Sequence, residues 1–273
     1  MRVISRRSVE RGYAGMTNTF KAGNNSSEWD IFQRVLSNDI QWYTRSKYEK
    51  ILHSKIASAQ WFDNTESRPD FVSDDLLIEM FEVDDIVTTR KGKGNPQRQA
   101  DARAERDVRK FIKEAGCFNE DMEIIALGDP RFQPDTGKYV LDNTNDHHNY
   151  QAYVNNFHRI CTKHLNNIAE YRALHPGKKL GFLIIDDATT YASELSYQDA
   201  FNCLPFHDKN FMKLFIKSDI DFVLWAFSNK YIYSDSQLSP HDLLPDVALI
   251  SNDNFYCKRT RQFNPDSMIS FEV

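Results

Sequence analysis

The sequence contains few of the residue types that mark several classes of protein. Its 273 residues include only 10 Gly and 9 Pro, too few for a collagen-like or low-complexity chain. Its four cysteines are far apart and form no CxxC or CxxH pair, which excludes a compact zinc knuckle and predicts no disulfide framework. No apolar run approaches the ~20 residues of a membrane-spanning helix, so we expect no membrane partner.

Several catalytic motifs are missing as well. The chain has no P-loop, no GxGxxG, no GxSxG and no HExxH, so dinucleotide binding, the common form of NTP hydrolysis and the usual serine-hydrolase arrangement have no support. The first residues include arginines, but no apolar stretch follows them. Because no secretory signal is visible, a cytoplasmic location is the expectation.

The residues that are present predict a globular α/β protein. Hydrophobic residues make up 41% of the chain and aromatic residues 13%, enough to offset the entropy lost on ordering. Polar residues dominate 1–27, which we interpret as a flexible N-terminal arm, and 28–273 as a single domain. Alternating helical periodicity and short apolar runs predict a mixed central β-sheet flanked by helices. Helices are expected at 28–59, 96–115, 150–175 and 208–216, strands at 180–185 and 222–227, and an edge strand at 247–250.

Two acidic residues in a predicted hairpin are the most informative feature. Asp70 begins a short first strand, and Glu79 lies inside the apolar run 76–83. An ionised carboxylate in such a run is costly to bury unless a cation or hydrogen-bond donors compensate it. Mg²⁺ is one such cation, since it binds one or two carboxylates together with water and phosphate, and it could activate water against a phosphodiester. The two carboxyl groups should then lie within about 5 Å of each other. The alternative is an edge strand whose Glu79 faces solvent or pairs with an arginine.

At these residues the sequence resembles the PD-(D/E)xK nuclease superfamily. Its members place an Asp and a second acid on a hairpin at the centre of a mixed sheet, with a Lys two positions after the second acid. Pro69-Asp70 and Glu79 match the first two parts, whereas the lysine position holds Phe81. Some members move or replace this lysine. The resemblance implies a restriction-endonuclease-like core, with Asp70 and Glu79 as catalytic residues and as ligands of Mg²⁺.

The missing lysine has candidate substitutes elsewhere in the chain. Lys93 follows the hairpin and Lys230 follows the strand 222–227, so either could steady the scissile phosphate or orient water. Some superfamily members have a further acid on the preceding helix, where this chain has Glu49. Each of these residues also fits an ordinary surface charge.

A basic segment follows the hairpin. Residues 90–113 have a net charge of +6. Because the whole chain has a net charge of −5, the remaining residues have a net charge of −11. A positive helix face beside a Gly-Lys-Gly loop suits a nucleic-acid backbone, although a solvated helix with i,i+4 ion pairs is the alternative. The candidate nucleic-acid-binding residues are Arg90, Lys91, Arg98, Arg103, Arg106 and Lys110.

Two further sites have weaker signals. Asp186-Asp187 ends the strand 180–185, and the carboxyl ends of strands in α/β sheets often bind ligands, although aspartates there are also common turn formers. His164 lies on the apolar stripe of the helix 150–175. We interpret it as a hydrogen-bonded core histidine rather than a metal ligand. The region 150–230 also resembles bacterial proteins, a likeness that implies no activity.

The leading hypothesis is a Mg²⁺-dependent nuclease-like enzyme that cleaves phosphodiesters of DNA or RNA. The alternative is a non-catalytic protein of the same fold that binds nucleic acid or a protein partner, which the missing lysine and the acidic remainder of the chain favour. A third hypothesis is an interaction protein without a nucleic-acid partner. The sequence does not distinguish DNA from RNA, and it gives no oligomeric state.

Overall fold

The structure is a computed structural model that describes residues 13–16, 20, 26–86, 114, 130–133, 138–141, 149–193, 204–228, 231–233, 245–258 and 260–270. Its centre is a seven-stranded mixed β-sheet with helices on both faces. This confirms the α/β class that the alternation of elements predicts. The strands of this sheet are β2 (Trp42–Thr44), β3 (Phe62–Asp63), β4 (Phe71–Val72), β5 (Leu76–Val83), β8 (Lys179–Asp186), β10 (Phe222–Phe227) and β12 (Val247–Ser251).

The strand order is β2-β12-β10-β8-β5-β4-β3. Three strands at the centre, β5, β8 and β10, run parallel to one another. The strands β4 and β12 are antiparallel to their central neighbours, and β3 is antiparallel to β4. Parallel strands covered on both faces are expected to be continuously apolar, which explains why β8 and β10 could be recognised as uninterrupted hydrophobic runs.

Helices cover the two faces of the sheet. One face packs on α1 (Glu28–Val35) and α2 (Lys47–Ser58). The other packs on α3 (Tyr150–Leu165), α4 (Ile168–Leu174) and the short α5 (Lys209–Met212). Because side chains alternate along a strand, one set of β5 residues faces each helical layer.

Serine caps begin both helices of the first layer. Ser27 and Ser46 each accept a hydrogen bond from the backbone N–H three residues later, and the acids at those positions, Asp30 and Glu49, bond back to the caps. These capping boxes satisfy backbone donors that a helix start would otherwise leave free.

The structure differs from the sequence expectations at several elements. The predicted helix 28–59 is interrupted by β2, which pairs through its backbone with β12, a contact that side-chain periodicity does not report. The predicted helix 150–175 is two helices, separated at Asn166 and Asn167. The strand β12 lies inside the sheet rather than at its edge, because β2 covers it. The predicted helix 96–115 lies outside the described residues apart from Glu114.

Three two-stranded sheets complete the described structure. In the region expected to be an N-terminal arm, β1 (Tyr13–Met16) pairs with β11 (Tyr231–Tyr233), and Phe20 is fully buried against the α1 and α2 layer. The second sheet pairs β6 (Pro130–Gln133) with β7 (Lys138–Leu141) in an antiparallel arrangement. The third sheet pairs β9 (Tyr191–Ser193) with β13 (Met268–Ser270).

Candidate active site

The hairpin β4-β5 brings Asp70 and Glu79 face to face. Phe71 pairs with Ile78 in this antiparallel ladder, so the next position out places Asp70 directly opposite Glu79. Opposed residues in an antiparallel pair project from the same face, with Cβ atoms roughly 5 Å apart. Both acids are fully buried, at 0% exposure.

The acid pair lies on the face of the sheet that α3 and α4 cover. On β5, Leu77 and Phe81 share the face of Glu79 and belong to that core layer. The strand β5 lies between β4 and β8, so it is not an edge strand and Glu79 does not face solvent. That part of the alternative interpretation is wrong.

An arginine from the preceding turn bridges the two acids. Nη1 of Arg68 is bonded to Oε1 of Glu79 and lies 3.2 Å from Oδ1 of Asp70. Because both oxygens contact one nitrogen, they lie no more than roughly 6 Å apart. The pairing with an arginine that the alternative interpretation named is therefore present, although the acids are buried and only the arginine side chain is about half exposed, at 47%.

A histidine from α3 packs against Phe81, the residue two positions after Glu79 on β5. The Phe81 ring stacks on the ring of His164, with centroids 4.5 Å apart and an interplanar angle of 14°. Nδ1 of His164 lies 2.8 Å from Oε1 of Glu79. Carboxylate oxygens accept hydrogen bonds, and Nδ1 is the imidazole nitrogen placed to donate to Oε1. His164 is a hydrogen-bonded core histidine, as interpreted from the sequence, and its partner is the candidate catalytic acid.

Each acid keeps one buried oxygen without a hydrogen-bond partner in the described structure. Oδ2 of Asp70 accepts from the backbone N–H of Met80 at 2.7 Å, whereas Oδ1 has only the ionic contact with Arg68. Oε1 of Glu79 takes the bonds from Arg68 and His164, and Oε2 accepts no hydrogen bond of good geometry, although the Tyr171 hydroxyl also interacts with this carboxyl group. Buried polar atoms without partners are rare in folded proteins, so these two oxygens are candidate ligand atoms.

Burial and mutual repulsion perturb the ionisation of this group of side chains. Burial, and then the charge of Glu79, raises the pKa of Asp70 to about 7, although Met80 and Arg68 act in the opposite direction. Burial is also the main cause that raises the pKa of Tyr171, on α4, and Glu79 adds to it. Partial desolvation raises the pKa of Glu28 at the start of α1, and Glu79 is among the acids that add to the shift. Perturbed ionisation of several neighbouring groups is typical of functional sites.

These residues fit a divalent cation only in part. In the described ranges, no group of three or more His, Cys, Asp and Glu side chains has the arrangement of a metal site. Mg²⁺, however, is often held by one or two carboxylates, with water and substrate phosphate completing the shell. The unpartnered oxygens of Asp70 and Glu79 match that donor set, whereas the guanidinium of Arg68 lies where a cation between them would have to bind.

The other candidates of the sequence analysis fall into two groups. Glu49 is buried but does not join the acid pair: it caps α2, and its Oε1 accepts from the Ser251 backbone N–H at 2.9 Å and from Asn254 at 2.9 Å. The prediction that Glu49 is a further acid of the site is therefore wrong, because its oxygens accept hydrogen bonds from residues at the end of β12. The remaining proposed cations lie outside the described residues, and they are Lys230, Lys93, Arg90, Lys91, Arg98, Arg103, Arg106 and Lys110.

The carboxyl end of β8 has a separate hydrogen-bonded acid. Asp186 is fully buried and accepts from Trp225 Nε1 at 2.7 Å, from the Ala188 backbone N–H at 3.2 Å and from the Tyr153 hydroxyl. Burial first, and then Asp186, raises the pKa of Tyr153 far above its ordinary value. These bonds join β8, β10 and α3, so we assign Asp186 a structural role.

Sequence reasoning missed two residues of the site, Arg68 and Tyr171. Arg68 is only two residues before Asp70, and this proximity was the available signal. Tyr171 comes from α4, far along the chain from the hairpin, and no local pattern links it to the acids. The contact of His164 with Glu79 was equally invisible, because it spans 85 residues of sequence.

Comparisons with protein-family models, with curated proteins and with solved structures give no match to this chain. Among the described residues, no helix has both the length and the apolar character needed to cross a bilayer.

Proposed function

We propose that this protein is a metal-dependent phosphodiesterase that acts on nucleic acid. The observation that supports the proposal most strongly is the opposed pair Asp70 and Glu79, buried on one face of the β4-β5 hairpin, each with one oxygen that has no hydrogen-bond partner in the described structure. A hard cation accepts such oxygens as ligands. Without a cation or a donor, two buried carboxylates facing each other are costly.

A nuclease-like core is part of the proposal. Among the described elements, the helix α2 is followed by β3, β4 and β5, which are neighbours in the sheet, then by the pair β6 and β7, and then by α3, α4 and the strand β8, which is parallel to β5. The acid-bearing hairpin thus lies within a mixed sheet with helices on both faces. This arrangement supports the core that the superfamily resemblance implies.

The side chains of the site have distinct roles in the proposed reaction. Asp70 and Glu79 would hold Mg²⁺, which when bound supplies a polarised water and neutralises charge on the phosphate. His164 and the Met80 N–H fix the orientation of the two carboxylates through the atoms Oε1 and Oδ2. Fixed outer hydrogen bonds of this kind are what hold ligand carboxylates in geometry. Among the described residues, Arg68 supplies the positive charge that contacts both acids.

The charge distribution of the sequence supports nucleic acid as the partner. The +6 segment 90–113 directly follows the hairpin on a chain whose total charge is −5. A local excess of positive charge of this size attracts phosphate backbones, and the resulting binding weakens as the salt concentration rises.

The test is cleavage of single- and double-stranded DNA and of RNA with Mg²⁺ or Mn²⁺. Asp70→Asn and Glu79→Gln should each abolish cleavage, whereas Glu82→Gln, on the same strand but on its opposite face, should leave it intact. Cleavage that survives both site substitutions would refute the proposal, as would a purified protein that cuts none of the substrates with either metal.

A non-catalytic protein of the same fold is the second candidate, and the bridge from Arg68 favours it. A guanidinium on both carboxylates satisfies part of their charge without any metal. This candidate predicts salt-dependent binding of nucleic acid without cleavage. The binding should persist in Asp70→Asn and Glu79→Gln, since neither acid would hold a ligand.

A further inference from the structure

The cation that the structure places on the acid pair is Arg68. Its Nη1 atom contacts both carboxylates, and each of these is almost completely shielded, with side-chain exposures of 1% for Asp70 and 0% for Glu79. The arginine side chain, by contrast, is 47% exposed. The bridge therefore joins a buried anionic pair to a side chain at the surface.

A guanidinium and a divalent cation cannot occupy this position together. Two positive groups at such short range repel each other, and the double charge of a divalent ion increases this repulsion. Because Arg68 is half exposed, it can turn outward without uncovering the core. It then stays near the site, since only Pro69 separates it from Asp70.

A released guanidinium beside a carboxylate-bound cation has a well-defined ligand chemistry. Its planar set of N–H donors matches the oxygens of a phosphate, often in a bidentate arrangement. A phosphodiester held between the cation and the arginine would satisfy both positive groups. Within the described residues, the acid pair has no other arginine or lysine bonded to it.

We propose that Arg68 is the phosphate-binding residue of this site and that it couples the binding of the cation to the binding of the phosphodiester. Without ligands it bridges Asp70 and Glu79. When both ligands bind, it moves from the carboxylates to the phosphate. This inference rests on the proposed function, because it requires that the acid pair bind a cation.

The experiment measures Mg²⁺ binding by calorimetry, with and without the phosphodiester thymidylyl-thymidine. It compares the unmodified protein with Arg68→Ala, Arg68→Gln and the control Arg159→Ala, a surface arginine on α3. In the unmodified protein, the dinucleotide should tighten Mg²⁺ binding about tenfold, within the usual range of coupling between two ligands. Both Arg68 variants should bind Mg²⁺ alone about tenfold more tightly, with less than about twofold further change on adding the dinucleotide.

The outcomes separate this inference from the function on which it rests. If the unmodified protein binds Mg²⁺ and Asp70→Asn abolishes that binding, the metal site stands. Arg68 variants that then bind Mg²⁺ no more tightly, or keep the full effect of the dinucleotide, would overturn the role of Arg68 alone. Absence of Mg²⁺ binding in every variant would overturn both. Arg68→Gln, which keeps a hydrogen-bond donor for the acids, provides the comparison if Arg68→Ala does not fold, and thermal melting followed by circular dichroism identifies the folded variants.

Discussion

Replacing Asp70 by Asn should stabilise the metal-free protein at alkaline pH while removing the proposed ligand oxygen. The carboxyl group is buried opposite Glu79, and these two conditions raise its pKa from 3.8 to about 7. Asparagine retains a carbonyl oxygen that can accept the hydrogen bond from the Met80 N–H, now made to Oδ2 at 2.7 Å. The substitution therefore removes the charge and keeps the main hydrogen bond.

The sign and size of the effect follow from proton linkage. Between pH 4 and 7, the folded protein holds a proton on Asp70 that the unfolded chain has released, so the free energy of unfolding falls as the pH rises through this range. A shift of about three pKa units corresponds to about 4 kcal/mol. Loss of the ionic contact with Arg68, whose side chain is half exposed, offsets about 1 kcal/mol of this. We expect Asp70→Asn to raise the free energy of unfolding by about 3 kcal/mol at pH 8 and by close to zero at pH 4.

Urea unfolding at pH 4, 6 and 8 in the presence of a chelator measures this difference. The control is Asp74→Asn, an exposed aspartate in the turn of the same hairpin, which should show little change at any of the three pH values. A stability difference between Asp70→Asn and the unmodified protein that does not grow with pH would refute the argument. So would a destabilisation at pH 8, because Asp70 would then be stabilised in its ionised form.

Three further substitutions test the framework around the site. Glu49→Ala should lower the free energy of unfolding by about 3 kcal/mol in urea denaturation. The substitution removes a helix cap and leaves buried hydrogen-bond donors without an acceptor. Gly181→Ala should lower it by about 3 kcal/mol in the same assay, because a Cβ at this position would lie 2.6 Å from Cδ2 of the buried Phe222 ring. His164→Leu should weaken Mg²⁺ binding by about 10–100-fold in calorimetry, because Glu79 loses an orienting donor.

Each of these substitutions has a matched control. Glu170→Ala removes an exposed acid from a helical first turn and should have little effect on stability. Gly177→Ala places a Cβ in open space, although its φ of 82° should still cost about 1 kcal/mol. His175→Asn should leave Mg²⁺ binding unchanged, and His164→Asn should restore part of the affinity lost in His164→Leu. Equal effects in a variant and its control would contradict the corresponding argument.

The hairpin shows how far local sequence information reaches. The apolar run 76–83 and the polar turn before it predicted two adjoining strands, and the structure has them as β4 and β5. The side-chain alternation of a strand and the short turn then place Asp70 opposite Glu79. This much could be predicted because all of the interactions lie within about fifteen residues. The nuclease function remains a prediction.

The helices show where such information ends. Periodicity alone predicted one helix over 28–59, but the intervening strand Trp42–Thr44 forms because β12 supplies a partner from about 200 residues away. Contacts between residues far apart in sequence also distinguish the roles of Glu49 and Glu79. Glu49 and Glu79 are both fully buried, yet only the tertiary contacts of Glu49 with Ser251 and Asn254 show that it holds the end of β12.

The sequence by itself determined the α/β class, the central buried strands and the acid-bearing hairpin, because burial patterns and turn chemistry are local properties of the chain. Only the tertiary structure decided what surrounds the acids. The helix α3 places His164 on Glu79, and the turn before β4 folds Arg68 across both carboxylates. Pairings of this kind depend on which elements pack together, and side-chain periodicity records only that a face is buried, not which residue covers it.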